Sequence, residues 1–332
     1  MQSIRPSALK DELHANSLSD TPTFIHGGPG IGKSEIVYQF AKSVNAKVYE
    51  LRANLFDPVD VRGGLKVVEE VDGSFRTHYG VPEDYPDSNS QEHHILLIDE
   101  LPNAPQATQN ALLQLILNRC IGTYKLPRYT TIIACGNRAQ DGAAVHNVPT
   151  TVKTRFAHYE IEANIDDWCA WASKNNIDAS IIGFLRYRPN LLHKVDRIEE
   201  AMPTPRTWSM LSRKLPHAVD EFYTAASVVG DGPGGEYVTF KRIYADLPTI
   251  EDILQHPTTT RIPEQPDQLY AITGAVSAHS NPTNWSDIMK FVRRMPSEFQ
   301  VCCIRDGIAK YPELLDEKAT NDWIKNNASV LI

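Results

Sequence analysis

The chain has 332 residues, 42% of them hydrophobic, with a net charge of −8 and an isoelectric point near 5.8. That length supports about two domains with real cores. The acidic balance argues against a protein that coats nucleic acid over its whole surface, and leaves room only for a local basic channel. No apolar run approaches the ~20 residues needed to cross a bilayer. The first residues, Met1 to Pro6, lack the apolar core of a signal peptide, so a cytoplasmic location without membrane contact is expected. The five cysteines form no C-x-x-C pair, which speaks against zinc and for free thiols in a reducing compartment. Cys302-Cys303 sits in an apolar stretch and reads as core.

In chain order, Leu9, Leu13 and Leu18 point to a short helix packed on the core. Thr23-Phe24-Ile25 is a β-prone lead into His26-Gly27-Gly28-Pro29-Gly30-Ile31-Gly32-Lys33-Ser34. This stretch fits the phosphate-loop pattern of Gly, four residues, then Gly-Lys-Ser/Thr. The glycines let the backbone curl with its N–H groups inward. Those groups and the positive end of the next helix make a cradle for phosphate. Lys33 can reach the β- and γ-phosphates, and the Ser34 hydroxyl can ligate Mg²⁺. Glu35 to Lys42 continues as a helix, with Ile36, Val37, Phe40 and Ala41 at helical spacing. Lys47 to Arg52 reads as a second strand.

Residues 53–92 break the alternation of strand and helix. Asp57 to Gly64 is turn-rich. Leu65 to Val71 and Ser74 to Tyr79 can pair across Asp72-Gly73, a hairpin signal. Pro82 to Glu92 is an acidic loop. Then His94-Ile-Leu-Leu-Ile-Asp99-Glu100 gives four apolar residues in a row, as in a strand buried on both faces. Its acids fall at the C-terminal end, where α/β sheets place their ligands. Ala107 to Arg119 is an amphipathic helix with Leu112, Leu113, Ile116 and Leu117 on one side. Tyr129 to Cys135 is the next buried strand, ending at Gly136-Asn137. Thr150 to Phe156 and a short strand, Ala157 to Ile161, follow. His93-His94 invites a metal reading, but adjacent strand residues point to opposite faces, so one ion would not take both.

After residue 162 the strand signal fades. Asp166 to Lys174, Ala179 to Arg186, Leu191 to Met202 and Arg206 to Leu215 read as helices, with Pro189, Pro203 and Pro205 as breaks. Gly230 to Gly235 reads as a glycine-rich turn. It is followed by a run with apolar Val238, Phe240, Ile243 and Tyr244. Residues 255–268 are proline-rich and extended, and three helical segments close the chain.

Six segments, in this order, carry a resemblance: Gly27 to Ser34, Ile95 to Glu100, Asn103 to Leu113, Ala134 to Asn137, Thr154-Arg155-Phe156, and Pro205-Arg206. The chain resembles the AAA+ ATPases, and among them the MoxR-like group of phage and bacterial type. The resemblance covers about residues 20–215. It implies an α/β fold: a three-layer αβα P-loop core with a parallel sheet over 1–161, carrying the hairpin-like insertion at 57–80. It further implies an all-helical lid over 162–216 and a mainly helical extension over 217–332. It implies ATP and Mg²⁺ as cofactors and hydrolysis of ATP as the activity. The loop residues Gly27, Gly28, Pro29, Gly30, Ile31, Gly32, Lys33 and Ser34 would hold nucleotide. Ser34 would bind Mg²⁺ directly and Asp99 through water. Glu100 would polarise the attacking water, and Asn137 would act as sensor 1. Arg155 would be a finger reaching the neighbouring subunit, with Arg128 and Arg138 as rivals. Arg206 would be sensor 2. A homo-oligomeric, hexameric ring is implied, with a partner carrying a von Willebrand factor A domain and a chaperone-like remodelling role. A nucleic-acid motor or clamp-loader-like ATPase is the first alternative, since Gln109 to Leu113 also resembles clamp loaders. A pore lined by Arg62, Lys66 or Arg76 would favour it. A nucleotide-gated switch with little turnover is the second alternative. Adenine over guanine also rests on the resemblance, no guanine-reading Asn/Thr-Lys-x-Asp motif being present.

Overall fold

The computed structural model describes residues 3–122, 124–138, 148–196 and 198–327. The chain divides into two units, up to Glu162 and from Ala163. The first is an α/β unit. In chain order it runs β1 (Ser3–Ile4), α1 (Pro6–Leu18), β2 (Thr23–His26), α2 (Lys33–Ser43), β3 (Lys47–Arg52), α3 (Pro58–Arg62), β4 (Leu65–Glu69) and β5 (Phe75–Tyr79). It continues with β6 (His94–Asp99), α4 (Gln106–Asn118), β7 (Cys120–Ile121), β8 (Tyr124–Lys125), β9 (Thr130–Gly136), α5 (Thr150–Lys153) and β10 (Ala157–Ile161). Six strands make one sheet in the order β1-β10-β2-β9-β6-β3, and every neighbouring pair is parallel.

The sheet forms where the apolar runs are longest. Ile95 to Ile98 of β6 and Ile132 to Cys135 of β9 are all buried. Alternation sends Leu96, Ile98, Ile132 and Ala134 to one face. There they join Ala111, Leu112, Leu115 and Ile116 of α4. The odd-numbered set faces the other way, where α1 and α2 cover the sheet. Burying one such Leu or Ile side chain contributes about 1.5–3 kcal/mol, so these two strands anchor the three-layer αβα arrangement. Both acids of Asp99-Glu100 and the Gly136-Asn137 step emerge at the same, C-terminal edge, beside the loop that follows β2. That placement follows from parallel pairing: Leu97 lies opposite Ile133, and Ile25 opposite Cys135.

Most first-unit elements fall where the sequence places them, including the β4–β5 hairpin, which pairs antiparallel with Leu65 opposite Tyr79. The buried face of α4 is rotated from the expected one. Ala111, Leu112, Leu115 and Ile116 are buried, Leu113 packs at the margin, and Leu117 is exposed. Leu18, expected on the core, is also exposed, while Leu9 and Leu13 of the same helix are fully buried.

The second unit is helical: α6 (Ile165–Lys174), α7 (Ala179–Tyr187), α8 (Pro205–Lys214), α9 (Glu221–Val229) and α10 (Asp231–Ala245), then α11 (Ile250–Gln255), α12 (Pro266–His279), α13 (Trp285–Val292), α14 (Ser297–Lys310) and α15 (Lys318–Asn326). Local caps set several starts. Asn164 accepts from the N–H groups of Asp166 and Asp167, Asp178 from Ser180, and Asp220 from Tyr223. One hydrophobic cluster, built around Trp208, Phe184 and Tyr237, takes residues from α6 through α10 and Ala271 of α12. A second, around Trp285 and Phe291, takes Leu269, Ile272 and Val276 of the same α12. Arg186 and Asp306 form a buried ion pair at 2.5 Å. Cys303 is buried, and Cys302 is half-buried beside the Arg186 guanidinium.

Three expectations for this unit are corrected. Leu191 to Met202 is not a helix among its described residues: a 3-10 turn spans Pro189–Leu191, and an irregular segment follows. Only Leu191 and Leu192 find core, Ile198 is almost fully exposed, and Lys194 N–H bonds back to Pro203 O at 2.9 Å. Without a continuing apolar stripe, nothing compensates the cost of ordering a helix there. The glycine-rich stretch is not a turn beyond Gly230. Gly230 ends α9 at φ 91°, and the remaining glycines lie in α10. Gly234 lies so close to α9 that a Cβ would come 2.8 Å from Ala226 N, so its missing side chain lets two helices approach. Val238 and Phe240 on this helix are buried as their spacing suggests, and the Tyr244 side chain lies outside the described residues. Four helices, α12 to α15, close the described chain rather than three.

Candidate nucleotide site

The loop between β2 and α2 has the backbone its glycines allow. Gly30 and Gly32 adopt φ of 69° and 100°, which side chains disfavour. Gly27 needs its small size for a different reason, since a Cβ there would sit 2.8 Å from Ile161 Cγ1. Gly32 stands at the start of α2, so the first N–H groups of that helix, at Lys33 onward, have no carbonyl of their own helix to bond. A helix N-terminus of this kind favours an anion.

Lys33 is buried, and its ammonium donates to three oxygens: Gly27 O and Gly28 O at 3.1 Å and Asn137 Oδ1 at 2.7 Å. Ser34 Oγ donates to Asp99 Oδ2 at 2.8 Å, and Asp99 Oδ1 accepts the Glu100 N–H at 2.9 Å. Glu100 itself takes a left-handed backbone, φ 55° and ψ 32°. For a residue with a Cβ this stores roughly 1–2 kcal/mol. The Glu100 carboxylate accepts from Asn137 Nδ2 at 3.3 Å and from Asn103 Nδ2 at 2.8 Å. One network therefore joins Lys33, Ser34, Asp99, Glu100 and Asn137, five residues that the sequence singles out from three separate segments.

Sequence reasoning gives Asn103 no role. The available signal is its position three residues after Glu100 with Pro102 between, a spacing that a tight turn closes. That turn, a 3-10 helix over Leu101–Asn103, bonds Asn103 N–H to Glu100 O at 2.9 Å. Gly136 makes room for it, since a Cβ there would lie 2.3 Å from Pro102 Cδ.

The arginines divide. Arg155 is exposed and forms no ion pair among the described residues. Its neighbour Phe156 is buried edge-on against Phe24 of β2, ring centroids 5.4 Å apart. The anchored ring fixes the local chain and leaves Arg155 on the surface. Of its rivals, Arg138 is paired with Glu160 at 2.9 Å, and Arg128 lies exposed over the Tyr129 ring. Arg206 belongs to the second unit. It is the second residue of α8, exposed, just after the Thr204 capping box that fixes the helix start.

His26, at the mouth of the loop, packs in a three-ring cluster with Phe24 and His158 and shares a 2.9 Å hydrogen bond with His158 Nδ1. Burial, with a smaller push from His158, takes its pKa from 6.5 down to about 4. A depressed imidazole means that, between those two pH values, the unfolded chain binds a proton the folded one refuses. Stability should thus fall as pH drops from about 6.5 to about 4 and level off below. Allowing for solvent screening of this partly exposed ring, the effect is on the order of 2 kcal/mol. Urea unfolding at pH 7.5 and 4.5 should show a smaller drop for His26→Phe than for the wild type. Equal drops would remove His26 as the cause.

Residues 22–156 match the family model described as AAA domain (dynein-related subfamily). Among solved structures, the RuvB Holliday junction branch migration motor of Thermotoga maritima is similar at 12% identity and a TM-score of 0.35, over 81% of this chain and 67% of that one. NtrX of Brucella abortus in complex with ATP is similar at 15% identity and a TM-score of 0.37, over 100% of this chain and 69% of that one. No curated relative matches the chain. The first unit is a parallel sheet with helices on both faces, and the Gly27–Ser34 loop lies at its C-terminal edge, inside the stretch that matches that family model. No described helix is long and apolar enough to cross a membrane.

Proposed function

We propose that the chain is an ATPase of the AAA+ kind, MoxR-like in type, that works as a ring of identical subunits. The observation that carries this reading is the single bonded network from Lys33 through Asn137 to Glu100, with Ser34 on Asp99. A domain that only bound nucleotide would need the loop but not Glu100 held by two side-chain amides. Phosphoryl transfer to water requires positioning and charge neutralisation more than covalent help. Lys33 would exchange its loop carbonyls for β- and γ-phosphate oxygens. The Ser34 hydroxyl and the Asp99 carboxylate are the hard oxygen donors Mg²⁺ prefers. They would hold the ion, Ser34 directly and Asp99 through water, and the ion would neutralise phosphate charge. Glu100 would orient the attacking water, and Asn137, already bridging Lys33 and Glu100, would sense the γ-phosphate. Arg155 would act across a subunit boundary and Arg206 would couple the helical unit to nucleotide.

The work done with that energy is read as remodelling of a protein client in the cytoplasm, with a partner carrying a von Willebrand factor A domain. One observation favours a second reading. The β4–β5 hairpin and its approach expose Arg62, Lys66 and Arg76. A ring that lined its pore with these residues would suit a nucleic-acid motor.

Replacing Lys33 with alanine tests the binding step. It removes a buried, three-fold hydrogen-bonded cation, so ATP affinity measured with a fluorescent analogue should fall by about 10²–10³. Unchanged affinity would refute the phosphate-loop reading.

A further inference from the structure

Two side-chain amides donate to the Glu100 carboxylate, and they differ. Asn137 has a second commitment, since its Oδ1 accepts from Lys33 at 2.7 Å. Asn103 has none of that kind. Its Nδ2 donates to Glu100 Oε2 at 2.8 Å, the shorter of the two contacts to that oxygen. Its own Oδ1 is buried with no hydrogen-bond partner among the described residues. Leaving a buried acceptor unmade is unfavourable. Turning the amide over would set that oxygen against the carboxylate, which is worse. The orientation of Asn103 is thus dictated by Glu100. The turn that carries it is fixed in turn by the contact of Pro102 with Gly136, one residue before Asn137. The two amides are consequently held in register on one carboxylate, both donating to Oε2.

We propose that Asn103 is a positioning residue for Glu100. It keeps the carboxylate in one rotamer when phosphate draws Lys33, and Asn137 with it, away. This rests on reading the site as an ATPase. Asn103 touches neither nucleotide nor water in this role and acts only through Glu100.

The test is a double-mutant cycle on the full chain, with Lys33→Ala as the baseline for hydrolysis. A hydrogen bond to a charged group is worth about 1.5–3 kcal/mol. Asn103→Ala and the isosteric Asn103→Asp should therefore each lower kcat by about 10- to 150-fold. KM for ATP and the affinity for a non-hydrolysed analogue should stay within about twofold. In a Glu100→Gln background, Asn103→Ala should lower the residual rate by less than about threefold, because the group it positions is already gone. Equal losses in both backgrounds, or a loss confined to KM, would overturn the proposal. So would wild-type kcat in both Asn103 variants while the wild type stays well above Lys33→Ala. A wild type no faster than Lys33→Ala would instead overturn the ATPase reading itself, and the Asn103 role with it.

Discussion

Arg155→Ala is expected to lower the steady-state ATPase rate by about 10³–10⁵, the range an arginine finger contributes to phosphoryl transfer. Two features set this expectation. Arg155 is exposed, and Phe156 beside it is locked against Phe24, so the guanidinium is presented outward from a fixed point. An arginine that serves a neighbour needs just such a support. The rival Arg138 is engaged with Glu160, and Arg138→Ala should cost far less. The effect should also be complemented. Arg155→Ala subunits mixed with Lys33→Ala subunits place an intact finger against an intact loop at some interfaces, and part of the rate should return. A head-to-tail contact of this kind closes into a ring or runs on as a filament. No recovery at any mixing ratio, with mixed assembly verified by size, would count against action across the boundary.

Glu100→Gln is expected to bind ATP with near wild-type affinity and to hydrolyse it about 10²–10⁴ times more slowly, the usual contribution of a positioned base. The amide is the same size as the carboxylate and can keep the 2.8 Å approach to Asn103 through its own oxygen. The left-handed backbone at this position should be unaffected. Binding and chemistry thus separate: the analogue affinity stays, the rate falls, and ATP-loaded assemblies persist longer. Normal turnover would remove Glu100 from the chemistry.

Where residues act through contiguous pattern, the sequence is readable. The apolar runs of β6 and β9 can only be buried strands, and their polar ends then have to fall at one edge of a parallel sheet. That pattern places Asp99 and Glu100 at the ligand edge, while Asn137 is tied to Lys33 only through the family resemblance. Asn103 was not readable in the same way, because its role depends on a three-residue turn and on the missing Cβ of Gly136, which is a property of the neighbouring strand. The glycines after Gly230 misled for a related reason. Glycine marks a turn when it needs a positive φ, as Gly230 does, but Gly234 is there for a helix that packs against it. The stretch from Leu191 offers helix-forming residues but no partner surface beyond its first two leucines, and propensity alone did not make it a helix. In α4, Leu113 and Leu117 share the apolar stripe in sequence, yet Leu115 takes the core position that Leu117 was expected to fill.

The most direct measurement is ATP hydrolysis per subunit as a function of protein concentration, with assembly size followed in parallel, Lys33→Ala as the baseline, and single-stranded or duplex DNA present or absent. The expected result is a rate well above the baseline that climbs as subunits assemble and is indifferent to DNA. A rate that never leaves the Lys33→Ala baseline, at any concentration and with or without DNA, would contradict ATP hydrolysis at this site. Strong stimulation by DNA would move the work of the ring onto nucleic acid and make Lys66 and Arg76 of the β4–β5 hairpin the candidate contacts.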